Sequence, residues 1–528
     1  MTGIELGTPT GRLVIAAAVL GSGMALLDGT VVNVALVRIG ADLDADLADL
    51  QWITNGYLLA LASLILLGGS LGDRFGRRRV FVVGVIWFAL ASLACGIAQS
   101  SGQLIIARVL QGVGGALLTP GSLSIIQSVF RPEDRAKAIG TWSGLGGIAA
   151  ATGPFVGGWL VEYASWRWAF LLNLPLAAAT VWVARTSVPE TRDESAPRQF
   201  DVAGALLASG SLALLTYALI QLETLGAGLA LTLMLLALAV AGAFASVEAR
   251  SRHPMVQPSL FTSRQFTAAN LMTMLVYAAL GAVFFFLTLQ LQTVLGYGPL
   301  LAGLATLPVT VLMLLLAAKG GELGARIGPR LPMAVGPAVC AVGAGLLAGV
   351  GAGDSYWTAV LPGISLFGLG LCLLVAPLTA TVLAAAPDRS AGIASGVNNA
   401  VARAGSLLAV AALPAVVGLS GADYQRPEDF DTGYGRAMWI CSVLLAGGGI
   451  VSWALIRSPE RIRPPASSTA GGPGPPTEVS GATKPAQRHT TLVGWSCAGA
   501  EGCPGRAEAS DVGHPAAPGW SGPESRDR

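Results

Sequence analysis

Charge is scarce in this chain: Asp, Glu, Lys and Arg make up 12% of 528 residues, about half the ~25% of an average globular protein. A single soluble core stops growing near ~250–300 residues. A water-soluble chain of this length would therefore need several domains, each with a charged surface that this composition cannot supply. Cysteine is also sparse. Four of the six (Cys95, Cys340, Cys372, Cys441) lie in apolar stretches and two (Cys497, Cys503) in a polar one, which excludes a disulfide framework. The spacing CAGAEGC is not that of a zinc ligand pair, even with His489 and His514 nearby, so no metal site is expected. No GxxxxGK[ST] phosphate loop is present, and no polar domain is available to house one, which excludes ATP hydrolysis. No cofactor motif occurs. A net charge of +2 gives no general attraction to nucleic acid. Three lysines stand against 29 arginines, and with abundant Ala and Gly this suggests a high-GC bacterial genome.

What the chain has instead is apolar length. Hydrophobic residues are 53% of the total and glycines number 69, a composition suited to membrane helices, where small residues let backbones approach closely. A bilayer core of ~30 Å needs roughly 20 apolar residues in a helix. Cutting at charged or Pro/Gly-rich breaks gives fourteen spans: 13–36, 51–71, 79–99, 103–128, 138–160, 167–185, 203–223, 226–247, 267–294, 299–319, 331–351, 357–383, 391–419 and 434–456. The stretches are continuously apolar, which favours helices over the shorter alternating strands of a barrel. The first is too long for a signal-peptide core and is followed at once by further spans. The expectation is an all-α integral membrane protein.

Lys and Arg resist translocation and so report orientation. One alternating set of loops holds 21 of them, and the other holds four, Arg38, Arg167, Arg426 and Arg436. Both termini are therefore expected in the cytoplasm, with an even number of spans. Residues 457–528 are rich in Pro, Gly, Ser and Thr without a long apolar run, and this cytoplasmic tail is expected to be disordered.

An internal repeat is visible. GSLGDRFGRR at 69–78 recurs in degraded form as GELGARIGPR at 321–330, each after an even-numbered span. Duplicated halves imply a transporter with its site between them. The offset of 252 residues exceeds what six helices need, so spans seven and eight read as an insertion and the architecture as 6 + 2 + 6. The segments are then 1–12 (cytoplasmic N-terminus), 13–185 (first bundle), 186–266 (linker with two helices), 267–456 (second bundle) and 457–528 (tail).

The two deep charges near the outer side can meet. Asp28 lies about eight residues from the outer end of the first span and Arg108 about five from that of the fourth, a depth difference of ~5 Å at 1.5 Å per residue. A lone charge at that depth costs roughly 2.5–3.5 kcal/mol on insertion scales. Burial raises a carboxyl pKa and a guanidinium lowers it, so a change in their separation could switch protonation. A static ion pair holding two helices is the competing reading. In the turn at 69–79, Gly69, Gly72 and Gly76 permit close helix approach. Asp73 there could bond to a helix N-terminus or to an arginine such as Arg135, as a latch specific to one conformation, while Arg74, Arg77 and Arg78 stay in the cytoplasm. Ala325 takes the place of Asp73 in the second copy, so such a latch is one-sided. Gly153, Pro154, Gly157 and Gly158 should kink the fifth span and give it a smooth groove. Asn33 reads as either an interhelical hydrogen bond or a substrate contact. Trp52 fits an interfacial belt better than a pocket. Arg403, with Asn398 one turn before it, has no acidic residue in its own span, so its partner lies elsewhere or is a substrate carboxylate.

GSLGDRFGRRR resembles the signature loop of the major facilitator superfamily. LDGTVVNVAL (27–36), RVLQGVGGA (108–116) and TGPFVGG (152–158) resemble motifs of its drug:proton antiporters, and SWRWAFLLNLP and AGIASGVNNAVARAGSLL those of the fourteen-spanner family. The similarity covers about residues 12–456. Val37 replaces the proline that commonly ends the first-helix motif, and Ala149 stands where a glycine is frequent. The resemblance implies the major facilitator fold, Arg108 as proton-transfer arginine, Asp28 as the first-helix acidic group, a loop at 69–78 that stabilises the outward-facing state, and export rather than uptake. The expected protein is a monomeric, proton-coupled exporter in the bacterial cytoplasmic membrane. Its partners are protons, lipid and a cationic or neutral amphipathic small molecule, and it needs no cofactor. Export of one endogenous metabolite is the alternative, and a non-transporting membrane sensor a more distant one.

Overall fold

The computed structural model describes residues 3–193, 201–251, 254–387 and 390–457. The tail from 458 onward, with Cys497, Cys503, His489 and His514, lies outside the described residues. So do Arg198, Arg252 and Arg389.

Among the described residues fourteen helices are long and apolar enough to cross a membrane: α1 (Pro9–Leu43), α2 (Leu47–Phe75), α3 (Arg77–Gly96), α4 (Ser101–Val129), α5 (Pro132–Tyr163), α6 (Arg167–Ser187), α7 (Val202–Ile220), α8 (Leu222–Arg250), α9 (Arg264–Thr293), α10 (Pro299–Ile327), α11 (Arg330–Leu347), α12 (Tyr356–Ala384), α13 (Gly392–Val417) and α14 (Pro427–Leu455). Each coincides with one sequence-predicted span. Several run further than their apolar stretch, because the ends continue as helix into the polar boundary until a cap stops them. The Thr8 hydroxyl accepts from the Gly11 N–H with Pro9 following it, and the Asp46 carboxylate accepts from the Asp49 N–H at 2.8 Å. Such caps satisfy backbone donors that the helix cannot. Three spans are interrupted, one of them α8, which kinks at Gly226 (φ 72°, ψ 156°). α6 breaks at Leu172, and α10 breaks at Thr306, where Pro308 disfavours helical geometry in the residues before it.

Helix packing repeats itself. In the first part α2 and α3 pack on α4, α1 packs on α5 and α6, and α3 packs on α6. In the last part α10 and α11 pack on α12, α9 on α13 and α14, and α11 on α14. Contacts between the two sets run mainly through α2 with α13 and α5 with α10, the same positions exchanged. α7 and α8 pack on each other, and α7 also touches α2 and α13. Only 11% of the most apolar window of α8 is buried, against 61% in α1, so α8 is a peripheral helix with a broad apolar face.

The repeated loop explains part of this symmetry. A Cβ on Gly68 would collide with the Ala116 carbonyl of α4, and one on Gly320 with the Cys372 carbonyl of α12. These two glycines are 252 residues apart, one position before each copy of the repeat. Gly76 and Gly328, equally spaced, both have positive φ (110° and 90°), a conformation that favours glycine.

Closure between the two sets is concentrated at one end. The Gln51 side-chain amide donates to the Val410 and Ala411 carbonyls at 2.7 and 3.0 Å. The Leu47 N–H donates to Gly421 O at 2.9 Å, the Tyr424 hydroxyl to Ala45 O at 2.8 Å and the Gln292 amide to Val34 O at 3.0 Å. The Leu300 N–H donates to the Glu162 carboxylate at 2.9 Å. The largest apolar core crosses here too, joining Val32, Leu36, Ile39 and Leu50 to α9–α14, whereas a second core around Val14, Phe81 and Ile125 stays within the first set.

Candidate functional site

Asp28 and Arg108 do meet. Asp28 is 0% exposed and Arg108 1%, and an Arg108 Nη1 donates to Asp28 Oδ2 at 2.5 Å. Gln111 completes the arrangement. Its Nε2 donates to the other carboxylate oxygen at 2.8 Å and to Ser92 Oγ at 2.8 Å, and its Oε1 accepts from Arg108 Nη1 at 2.6 Å. Arg108 Nε donates to Ile53 O at 3.0 Å, and the guanidinium lies 4.5 Å from the Tyr57 ring and 5.8 Å from that of Phe170. Asn173 donates to the same Ser92 hydroxyl at 3.2 Å. Five helices, α1, α2, α3, α4 and α6, thus converge on one ion pair. Removing one partner of a buried pair typically destabilises by ~3–5 kcal/mol because the other charge is left uncompensated.

Both oxygens of Asp28 are therefore occupied by donors from this chain, and none of its surface is open. A substrate has no access to it in this conformation. Gln111, Ser92, Asn173 and Tyr57 escaped the sequence reading. Gln111 had a signal, because it stands one helical turn after Arg108 and so shares its face.

The glycine-rich part of α5 sits directly behind this site. A Cβ on Gly153 would strike the Thr30 side chain, and one on Gly157 would strike Val31, so α5 touches α1 through the turn that follows Asp28. On its other face Gly158 meets Pro299 and Leu300, and the Pro154 carbonyl meets Gly303. One segment of α5 is therefore in backbone contact with both α1 and α10, where the expected groove lies.

The segment at 69–78 is the end of α2 and the start of α3, joined at Gly76. Asp73 pairs with Arg77 four residues on, at 2.8 Å, and Arg135 instead donates to Phe130 O at 3.1 Å, so the Asp73–Arg135 latch is not formed. The N-terminus of α3 is held by Glu190, a residue the sequence reading missed. Its carboxylate accepts from the Arg78 and Arg79 N–H groups at 3.1 and 3.2 Å and fills the space where a Gly76 side chain would be. The Arg78 guanidinium donates to Val188 O at 3.1 Å, and the Arg74 guanidinium lies 5.2 Å from the Phe75 ring. Gly69 makes only an ordinary contact with Pro120, and the place of a Gly72 side chain is also uncrowded. Gly68 is the glycine that lets α2 and α4 touch.

The remaining candidates are distributed. Trp52 packs against Tyr217 of α7, ring centroids 6.3 Å apart, a contact between two helices. Asn398 donates to Asn270 and Thr273 of α9 at 3.2 and 2.8 Å and pairs helices. Asn33 is half-buried and has no side-chain hydrogen bond among the described residues. Arg403 is half-buried in mid-helix and has no ion-pair or hydrogen-bond partner among the described residues.

Comparison with known proteins follows the same lines. Residues 18–410 match the family model described as Major Facilitator Superfamily. The chain is 37% identical to the tetracenomycin C resistance and export protein of Streptomyces glaucescens, over 75% of this chain and 74% of that protein. It is 34% identical to the multidrug resistance protein Stp of Mycobacterium tuberculosis, over 77% and 76%. The fold is similar to the inward-open xylose transporter XylE from E. coli, with a TM-score of 0.57 at 14% identity, covering 86% of this chain and 97% of that one. The chain belongs to the major facilitator superfamily and is a multi-pass membrane transporter.

Proposed function

We propose that this transporter exports amphipathic small molecules across the cytoplasmic membrane of a bacterium in exchange for entering protons. The observation that carries the reading is the contact of one glycine-rich segment with two partners. Gly153 and Gly157 touch α1 just after Asp28, while Pro154 and Gly158 touch α10. A change in the Asp28–Arg108 pair is thereby transmitted to the seam between the two sets of helices. Protonation of Asp28 removes its charge and releases Arg108, and the α1 turn repacks against α5. The names of the relatives, which speak of resistance and export, support the direction of transport.

The architecture that serves this is 6 + 2 + 6, with bundles at 13–185 and 267–456 and α7–α8 as an insertion within 186–266. The repeated helix pairing supports it. Both termini are cytoplasmic by the asymmetry of basic loops, which makes the sealed end the outer one and the conformation inward-facing. The loop at 69–78, with its Asp73–Arg77 pair and the Glu190 cap, acts at the cytoplasmic side. The working unit is a monomer. In everted membrane vesicles, Asp28→Asn should abolish proton-driven efflux while the protein remains folded; full transport by that variant would end the coupling role. One relative is named for a single antibiotic, which favours a second reading, export of one metabolite. A resistance profile against many compounds separates the two.

A further inference from the structure

We infer that Arg403 is the charge-recognition element of the substrate site, and that the site selects amphipathic anions carrying a carboxylate or phenolate. The inference rests on the export reading and names the class of compound. Contacts along α13 place the residue. Gly396 packs on Leu66 of α2, and the Val410 carbonyl accepts from Gln51 of α2. Arg403 lies midway between them, seven residues from each, two helical turns either way. The three therefore form one stripe facing α2 across the seam between the two sets of helices. The α13 face that packs on α9 is a different one, carrying Asn398, Gly405 and Ser406.

Tyr57 of α2 and Tyr277 of α9, one from each set of helices, lie within electrostatic range of the guanidinium. Tyr57 presents its ring to Arg108 at 4.5 Å and is covered by the closed ion-pair network. Deep charges in this region are Asp28, Arg108 and Arg403, and the first two cancel inside a fully hydrogen-bonded network. A net positive charge is left at the seam with no carboxylate to balance it among the described residues. An unpaired cation at membrane depth is costly, and a ligand that brings a carboxylate relieves that cost while offering oxygens that match the guanidinium fork. The half-buried ring of Tyr277 offers a surface to the apolar body of the same ligand. A cationic compound would meet like charge instead, which opposes binding.

The test uses two xanthene dyes of similar size and opposite charge, fluorescein and rhodamine 6G, with the purified full-length protein in detergent and fluorescence anisotropy as readout. Wild type should bind fluorescein more tightly than rhodamine 6G. Arg403→Gln should weaken fluorescein roughly tenfold or more, the scale of one charged hydrogen-bonded contact, and leave rhodamine 6G equal or tighter. Arg403→Lys, which keeps the charge without the fork, should retain most fluorescein binding and guards against a misfolded Gln variant. No fluorescein binding by wild type, an equal loss of both dyes in a folded Arg403→Gln protein, or a change under twofold would overturn the assignment. Binding is measured without a proton gradient, so its failure is distinct from failure of proton-driven efflux, which Asp28→Asn reads.

Discussion

Arg108 is held on four sides: by the Asp28 carboxylate, by the Gln111 amide oxygen, by the Ile53 carbonyl and by the Tyr57 ring. Gln111 bridges both members of the pair, so its loss should be felt although it carries no charge. We expect Gln111→Leu to lower stability by about 1.5–3 kcal/mol, the range for a hydrogen bond to a charged group, read as a drop in thermal midpoint in detergent; an unchanged midpoint would remove Gln111 from the network. The pairing itself was legible in the sequence, because equal depth in two spans and the cost of a lone charge leave few alternatives. The bridging amide was not, since a buried Gln is indistinguishable in sequence from one that merely pairs helices. Arg403 was legible as an unpaired charge but not as a group facing α2, which only the flanking contacts of Gly396 and Val410 reveal.

Helix ends and glycines decide how the elements meet. Gly68 and Gly320 bring α2 onto α4 and α10 onto α12 with no room for a methyl group. Gly68→Ala and Gly320→Ala should each destabilise by about 1–3 kcal/mol, as overpacking does, whereas Gly69→Ala, with only an ordinary neighbour, should be near neutral. Comparable midpoints for all three in thermal unfolding would contradict this. The fourteen spans were legible because continuous apolar stretches of membrane length have one viable structure in lipid. Which glycine in a run of them touches a neighbour was not, because that depends on helix rotation, and the run at 68–72 offers three candidates. Glu190 escaped for a related reason. It caps α3 from a loop after α6, more than a hundred residues away, and nothing local marks it.

Across the whole molecule every hydrogen bond named at the sealed end has a backbone group as one partner and none is an ion pair, so it can open without breaking an ion pair in the membrane core. Tyr424, in the loop before α14, donates to Ala45 O and accepts from Gln425, and burial pushes its hydroxyl above the usual tyrosine range. A raised folded-state value means that the donor is fully present below the ordinary pKa of about 10 and is lost only as the pH rises through the higher folded value. The Tyr424 contact of the seal should thus be insensitive to pH across the physiological range. Tyr424→Phe should loosen the seal by about 1 kcal/mol, the net worth of one hydrogen bond, or roughly fivefold in population. It would be measured as faster labelling of Ala45→Cys by an impermeant thiol reagent from outside, and an unchanged rate would place the seal elsewhere. The pseudo-symmetric exchange of α2–α13 and α5–α10 contacts was foreshadowed by the repeat at 69–78 and 321–330; which end was shut was not, because one sequence serves both conformations.

The central claim is that Asp28 exchanges a proton for substrate through its pair with Arg108. It is tested most directly by following the internal pH of proteoliposomes with a trapped dye while a transported compound is supplied. Wild type should show proton movement opposite to the compound and proportional to its flux, and Asp28→Asn should show neither when protons are the sole driving force. Proton movement of wild-type size in a folded Asp28→Asn protein would contradict the account.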